Sequence, residues 1–178
     1  MGQLFSKLVY VLFGTREVRV LVLGLDNAGK TTILYKLLEP DSSLKHTPTV
    51  GFNLETLKVH GLKMQCWDLG GQDSIRPYWR SYFFNQEAIV FVVDSTDKGR
   101  MLTAKQELHA ILTEPELQGA VLLVLANKQD VPDAARVSEV SERLGLADLE
   151  RTWTIMGTSA ERGEGLQEAF AWLAQRLK

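Results

Sequence analysis

Residues 24–31 read Gly-Leu-Asp-Asn-Ala-Gly-Lys-Thr and fit the pattern G-x-x-x-x-G-K-[ST] at every fixed position. An apolar, strand-like run over 18–23 precedes them, and a helix-like run follows as far as Leu38. In that context the glycines let the backbone curl so that its N–H groups point at phosphate oxygens, and the helix adds the positive end of its dipole. The stretch therefore predicts a phosphate-binding loop between the first strand and the first helix.

The side chains of this loop have expected roles. Lys30 can reach the β- and γ-phosphates of a nucleotide, and the hydroxyl of Thr31 can hold Mg²⁺. The residues predicted to contact the nucleotide from this part of the chain are Asp26, Asn27, Ala28, Gly29, Lys30, Thr31 and Thr32.

Composition narrows the class of protein. The chain has 178 residues, enough for one domain with a substantial core, and its net charge of −2 without a long basic run argues against nucleic acid as a partner. Its single cysteine, Cys66, lies in a strand-like run and is expected to be a core thiol in a reducing compartment. No run approaches the roughly 20 apolar residues that a membrane span needs. The N-terminus has no long apolar region followed by a small-residue cleavage site, so a secretory signal is not expected.

Strand-like and helix-like runs alternate after residue 17, which predicts an α/β fold with a mostly parallel six-stranded sheet. The turn signal His60-Gly61 joins two strands as a hairpin, so the earlier strand should be an antiparallel edge. The predicted strands are 18–23, 52–59, 62–69, 88–93, 121–126 and 153–156, and the predicted helices are 30–38, 101–112, 137–144 and 165–177.

Asn127-Lys128-Gln129-Asp130 directly follows a predicted strand, where ligands bind in open α/β sheets. The carboxylate of Asp130 can accept hydrogen bonds from N1–H and the 2-amino group of guanine, and the stem of Lys128 can lie along the base. Ser159 and Ala160, after the last strand, can bring a backbone N–H to the guanine carbonyl. The alternative interpretation of 127–130 is a polar turn.

Trp67-Asp68-Leu69-Gly70-Gly71-Gln72 ends the third predicted strand. Asp68 can support Mg²⁺ through a bound water, Gly70 or Gly71 can bring a backbone N–H to the γ-phosphate, and Gln72 can orient an attacking water. Thr49, in the loop before the edge strand, is a second candidate Mg²⁺ ligand. The alternative for 70–72 is a Gly-Gly turn with a surface glutamine.

Taken together, these motifs closely resemble the Arf branch of the Ras-like small GTPases, nearly from end to end. The markers are G-L-D-N-A-G-K-T at 24–31, T-P-T-V-G-F-N at 47–53, W-D-L-G-G-Q at 67–72, R-P-Y-W-R-S-Y at 76–82 and N-K-Q-D at 127–130. The resemblance implies a P-loop NTPase fold with helices on both faces of the sheet. Glu161-Arg162 departs from common family forms.

The resemblance also implies a function and partners. It implies a GTP/GDP switch that binds Mg²⁺, hydrolyses GTP slowly, and works with an exchange factor, a GTPase-activating protein and effectors. It further implies a cytoplasmic protein that associates reversibly with membranes, at the Golgi in vesicle trafficking, with golgin GRIP domains as candidate effectors. The implied effector surface consists of Phe52, Trp67, Tyr78 and Tyr82, with Tyr78 as the GRIP-recognising residue.

The N-terminus fits the myristoylation pattern M-G-x-x-x-[ST], with Gly2 as the acceptor. Apolar residues between Leu4 and Phe13 recur at helical spacing, which predicts an amphipathic helix over 1–14 ahead of a GTPase domain over 15–178. The alternative is a helix packed permanently on the domain.

Two other functions share the phosphate loop. A metabolic P-loop kinase or ATPase would need an acceptor pocket and would not need residues 127–130. A pseudo-GTPase would bind GTP without turnover, against which Gln72, Thr31 and Thr49 argue.

Overall fold

Six strands form one sheet in the computed structural model, which describes residues 16–40 and 49–178. They are β1 (Arg16–Leu23), β2 (Phe52–Val59), β3 (Leu62–Leu69), β4 (Ala88–Asp94), β5 (Val121–Asn127) and β6 (Trp153–Gly157). Their order is β2-β3-β1-β4-β5-β6, with β2 antiparallel to β3 and the other neighbours parallel. The predicted parallel sheet with one antiparallel edge is confirmed.

The β2–β3 turn has the backbone that its sequence favours. His60 and Gly61 both have positive φ, 46° and 82°, as in the type I′ turn that matches the twist of a hairpin. This two-residue turn sets the register of the hairpin, in which Val59 pairs with Leu62 next to the turn and Phe52 pairs with Leu69 at the open end.

Four α-helices within the described ranges cover both faces of the sheet. They are α1 (Lys30–Leu38), α2 (Met101–Leu112), α3 (Val137–Leu144) and α4 (Leu166–Arg176). Each lies within a residue or so of its prediction, and β1 begins at Arg16, two residues before the predicted start. The described helices include none with the length and hydrophobicity that a membrane span requires.

Successive residues of β1 point to opposite faces and so divide the core in two. Val20 and Val22 belong to the cluster that contains Ile33 of α1 and Phe170 of α4. Leu21 and Leu23 belong to the cluster that contains residues of α2 and α3, such as Leu108 and Val140. Cys66 is fully buried in the first cluster, as expected of a core thiol, and burial raises the pKa of its thiol.

A short 3₁₀ segment, Arg76–Tyr82, follows β3 and was not predicted as an element. Pro77 stands in its first turn, and Trp79 is its buried residue. The Trp79 indole donates to the carbonyl of Gly70 at 2.9 Å, so the segment is anchored to the end of β3.

The carboxyl ends of the five parallel strands meet at one edge of the sheet. Register places Val22 beside Asp68, Leu23 beside Phe91, and Asp94 beside Asn127. The loops after β1, β3, β5 and β6, which hold the predicted motifs, are therefore neighbours.

Candidate active site

The loop between β1 and α1 curls around its own side chains. Gly29 has φ 98°, and a Cβ there would lie 2.4 Å from Nδ2 of Asn127, so only glycine fits. This close approach lets Nδ2 of Asn127 donate to the carbonyl of Ala28 at 2.9 Å. The last residue of β5 thereby holds the phosphate loop in shape.

Lys30 is buried inside this loop. Its ammonium donates to the carbonyls of Gly24 and Leu25, both at 2.8 Å. Burial lowers the pKa of Lys30 to about 8, while the nearby carboxylates of Asp68 and Asp26 oppose the shift. Phosphate oxygens close to this amine would favour its charged form.

Three oxygen-bearing side chains meet beside Lys30. The Thr31 hydroxyl donates to Oδ2 of Asp68 at 2.5 Å and lies 2.8 Å from the Thr49 hydroxyl. Oδ1 of Asp68 is buried and has no hydrogen-bond partner among the described residues. Burial raises the pKa of Asp68, against hydrogen bonds from both threonines that lower it. Hydroxyl and carboxylate oxygens suit Mg²⁺, so these residues fit that ion.

A cleft of about 320 Å³ opens over these residues. All ten of its lining residues were predicted from the sequence. They are Asp26, Asn27, Gly29, Lys30, Thr31, Thr32, Thr49, Gly70, Gly71 and Gln72.

The Gly70-Gly71 pair closes one side of this cleft. The N–H of Gly70 donates to the carbonyl of Gly51 at 3.0 Å, and the N–H of Asp26 donates to that of Gly71 at 3.1 Å. A Cβ on Gly71 would lie 2.3 Å from the carbonyl carbon of Leu25, so a side chain there would push the two loops apart. Gln72 is exposed at the cleft.

The predicted base-recognition motif, residues 127–130, lies at the end of β5 and in the loop that follows it. Asn127 is buried, and its Oδ1 accepts from the Ala160 N–H at 3.0 Å. Lys128 has φ 66° and donates to Oδ2 of Asp94 at 2.6 Å. Asp130 is half-buried, and its carboxylate makes no hydrogen bond or ion pair within the described ranges. The motif thus presents a carboxylate without a protein partner, as guanine recognition requires.

In the loop after β6, the backbone N–H groups that were expected to contact the guanine carbonyl already have partners within the protein. The backbone N–H groups of Thr158, Ser159 and Ala160 donate to Ala126, Glu164 and Asn127 respectively. A guanine carbonyl would therefore share the Ala160 N–H with Asn127. The unusual Glu161-Arg162 pair forms an exposed turn, in which the Arg162 N–H donates to Oγ of Ser159 at 3.1 Å.

Three charged side chains at the site, those of Arg76, Asp94 and Arg100, were not predicted from the sequence. Oδ1 of Asp26 accepts from Arg100 Nη1 at 2.7 Å, so this carboxylate, predicted as a nucleotide contact, pairs with an arginine from the start of α2. Arg76 and Asp94 also join the site through ion pairs. Asp94 was visible as a polar residue ending a buried strand, but nothing in the sequence links Arg100 to Asp26.

Three of the four predicted effector residues form one aromatic cluster. The ring centroids of Phe52, Trp67 and Tyr82 are 5.3 to 5.8 Å apart. Phe52 is 50% exposed and the nearby Tyr78 is 66% exposed. The structure thus brings Phe52, Trp67 and Tyr82 together, while Tyr78 shares only a neighbouring cavity with Tyr82. The role of all four toward effectors stays a prediction.

The N-terminal predictions, myristoylation of Gly2 and a helix over 1–14, lie outside the described residues, as do Thr47 and Pro48 ahead of Thr49.

Comparison with known proteins gives concordant matches. The model of the ADP-ribosylation factor family matches residues 4–177. ADP-ribosylation factor-like protein 1 of Saccharomyces cerevisiae is 54% identical over 180 residues, covering 100% of this chain and 98% of that protein. ADP-ribosylation factor 3 of Arabidopsis thaliana is 53% identical over 179 residues, with the same coverage. The solved structure of the Arl6 BBS3 small GTPase from Trypanosoma brucei, with bound nucleotide analogue GppNp, has a TM-score of 0.82 and 32% identity, covering 90% of this chain and 96% of that one.

Proposed function

The chain belongs to the ADP-ribosylation factor family and is a guanine-nucleotide-binding GTP hydrolase, and from this premise we propose that it is a GTP/GDP switch that recruits effectors to membranes. The observation that carries the proposal is the meeting of Thr49 with Thr31 and Asp68 in the cleft. Thr49 comes from the loop before β2 and Asp68 from the end of β3, so both strands are tied to the phosphate loop at the open end of the β2–β3 hairpin. Loss of the γ-phosphate would release both ends together.

The cleft residues divide the work of hydrolysis. Lys30 and the N–H groups of the phosphate loop hold the phosphates, while Gly70 and Gly71 bring backbone close to the γ-phosphate position. Gln72, exposed at the cleft, orients the attacking water. Thr31, Thr49 and Asp68 would hold Mg²⁺, which when bound neutralises developing charge on the phosphates.

We further propose that turnover is slow until an activating protein supplies an arginine. Arg76 and Arg100 lie beside Asp26 and Gln72 at the rim of the cleft, and both are engaged by carboxylates, those of Asp73, Glu107, Asp97 and Asp26. Neither is available to stabilise the transition state, and an arginine delivered in trans is worth about 10³ to 10⁵ in rate. The expected partners are therefore an exchange factor and an activating protein as well as effectors.

The family assignment argues against both alternatives considered from the sequence. Members hydrolyse GTP, which a pseudo-GTPase does not, and a metabolic kinase would not need the unpartnered carboxylate of Asp130.

Short sequence segments indicate where in the cell the protein acts. Residues 12–17 and 74–80 are most similar to Arf-like protein 1, a Golgi member. Overall identity does not distinguish this subfamily, because the chain is 54% identical to the yeast Arf-like protein 1 and 53% identical to the Arabidopsis ADP-ribosylation factor 3. We propose that the protein acts at the Golgi in vesicle trafficking, through a myristoylated N-terminal helix and golgin GRIP domains.

Base choice gives the direct test of the switch proposal. Because Asp130 accepts from the guanine N1–H and 2-amino group, wild-type protein should bind GDP and GTP far more tightly than ADP and ATP. Asp130→Asn should shift preference toward xanthosine diphosphate, since an amide can donate to the 2-oxo group. Competition against a fluorescent GDP analogue measures both effects.

Asp133→Asn is the matched control, because Asp133 is exposed three residues further along the same loop. It should leave guanine preference unchanged. Equal affinity of the wild type for ATP and GTP would contradict the role of 127–130.

A further inference from the structure

The guanidinium of Arg76 lies at the junction of three segments, with its side chain only 10% exposed. Its Nε donates to the carbonyl of Gly71 at 2.9 Å, and its Nη1 donates to Oε1 of Glu107 on α2 at 3.0 Å. Its Nη2 pairs with Asp73 and lies 3.8 Å from Oδ1 of Asp26 in the phosphate loop. All three nitrogens of the guanidinium are thus used, each in a different direction.

The carbonyl that Arg76 holds belongs to the peptide between Gly71 and Gln72. The same carbonyl accepts from the N–H of Asp26 at 3.1 Å. Because a peptide is planar, fixing this carbonyl also fixes the N–H of Gln72. The Gln72 carbonyl in turn accepts from the N–H groups of Ile75 and Arg76, at 2.9 and 3.1 Å. Both peptides that flank the Gln72 side chain are therefore held by Arg76 or its neighbours.

A second arginine fixes the phosphate-loop side of this junction. Arg100 donates to Oδ1 of Asp26 at 2.7 Å and to Oδ2 of Asp97 at 2.6 Å. These hydrogen bonds raise the pKa of Arg100 above its ordinary value, against partial desolvation. Asp26 is thereby kept beside Arg76, so the phosphate loop, the Gln72 segment and α2 form one ionic network.

We propose that Arg76 is a positioning residue for the GTP-bound cleft, which acts by orienting the Gly71–Gln72 peptide against the phosphate loop. The inference rests on the proposed role of Gln72 and adds the group that sets its geometry. Arginine is required because only its planar fork can donate to Gly71 through Nε while Nη1 and Nη2 pair with carboxylates. A lysine keeps the charge but is a point donor and cannot meet all three partners.

The test compares Arg76→Lys with Arg80→Lys in the full chain. Arg80 lies in the same 3₁₀ segment and also pairs with a carboxylate, Glu114, but its side chain is 76% exposed and does not touch Gly71. The two measurements are the affinity for a non-hydrolysable GTP analogue relative to GDP, and the deuterium exchange of backbone amides over 71–76.

We expect Arg76→Lys to lower the ratio of analogue affinity to GDP affinity about tenfold, the value of one charge-assisted hydrogen bond. Its amides over 71–76 should exchange faster in the analogue-bound protein. Arg80→Lys should change the ratio by less than about twofold, as expected of a surface substitution.

Two results would overturn the proposal. One is an unchanged ratio and unchanged exchange in Arg76→Lys. The other is an equal loss of affinity for GDP and the analogue, which would mean that Arg76 only supports the fold. The role of Gln72 is tested separately by single-turnover hydrolysis with activating protein. If Gln72→Leu hydrolyses GTP at the wild-type rate, the proposed role of Gln72 fails, whatever Arg76→Lys does.

Discussion

Lys128 and Asp94 show how one ion pair shapes the base-recognition loop. Lys128 has φ 66°, a left-handed backbone that is uncommon outside glycine, and its ammonium donates to Oδ2 of Asp94 at 2.6 Å. The other oxygen of Asp94 accepts from the N–H and hydroxyl of Thr96, at 2.9 and 2.6 Å. Burial opposes ionisation, but these hydrogen bonds outweigh it and lower the pKa of Asp94.

The pair should therefore contribute stability over the neutral range. Because the folded pKa of Asp94 is depressed, its contribution is present above the ordinary aspartate value of about 3.9 and is lost as the pH falls through the folded value. We predict that Asp94→Asn lowers the free energy of unfolding by about 2 kcal/mol at pH 7, and that the difference from wild type shrinks below about pH 4. Urea denaturation at several pH values measures this, with GDP affinity as a second readout.

Glu139→Gln is the control for this prediction. Glu139 pairs with Arg143 at 2.8 Å one turn along α3, on a surface where such pairs contribute about 0.3–0.5 kcal/mol. An Asp94 variant no less stable than the Glu139 variant would contradict the argument.

The strands and helices were nearly all predictable because their sequences are locally consistent. Buried strands such as β4 and β5 are unbroken apolar runs, and the His60-Gly61 turn fixes the register of the β2–β3 hairpin. The Arg76–Tyr82 segment was missed because it has neither strand nor helix periodicity and is held by its tryptophan's contact with Gly70.

At the site, too, local motifs were predictable and contacts between distant residues were not. The cleft residues could be predicted because each lies within a short motif that has its own physical reason. The network of Arg76 and Arg100 around Asp26 could not, because Asp26 and Arg100 are 74 positions apart and nothing local signals their contact. From the sequence alone, charged residues such as Arg76 and Arg100 are predicted to lie on the solvated surface.

An apolar cavity beside the 3₁₀ segment supports a prediction about effectors. The cavity measures about 240 Å³ and is lined by Gly51, Leu69, Ile75, Tyr78, Trp79, Ser81 and Tyr82. Tyr78 is 66% exposed at this cavity, so it can contact a partner without contributing to the core. We predict that Tyr78→Ala lowers affinity for a golgin GRIP domain by about 2 kcal/mol, roughly 30-fold, while GTP affinity is unchanged.

Phe84→Ala provides the matched control, because Phe84 is 70% exposed and is not among the residues lining the cavity. Calorimetry with the GTP-loaded proteins separates the two variants. Normal GRIP binding by the Tyr78 variant would remove both this role and the support for the golgin proposal.

The packing of the β2–β3 hairpin supports the proposed coupling between nucleotide state and membrane binding. β2 forms the edge of the sheet and pairs only with β3 among the described strands, and Leu57 is its sole buried residue. Thr49, just before β2, and Gly70, just after β3, both lie at the open end of the hairpin and line the nucleotide cleft. A hairpin held at its open end and loosely packed elsewhere can shift as a unit, and we propose that such a shift controls whether the N-terminal segment is available to a membrane.

The resulting prediction is that the acylated protein binds membranes in its GTP state and not in its GDP state. A single myristoyl chain binds only marginally, and burying one large apolar side chain adds about 1.5–3 kcal/mol, so Gly2 acylation and the apolar residues must act together. Gly2→Ala should abolish binding in both states, and Phe5→Ala with Leu8→Ala should weaken GTP-state binding although acylation is complete. Lys7→Ala, which removes the only cation of the first fifteen residues, should have little effect, because the attraction is hydrophobic. Co-sedimentation with liposomes, using protein loaded with GDP or a non-hydrolysable GTP analogue, measures each case; equal sedimentation in the two states would instead make the N-terminus a constitutive anchor.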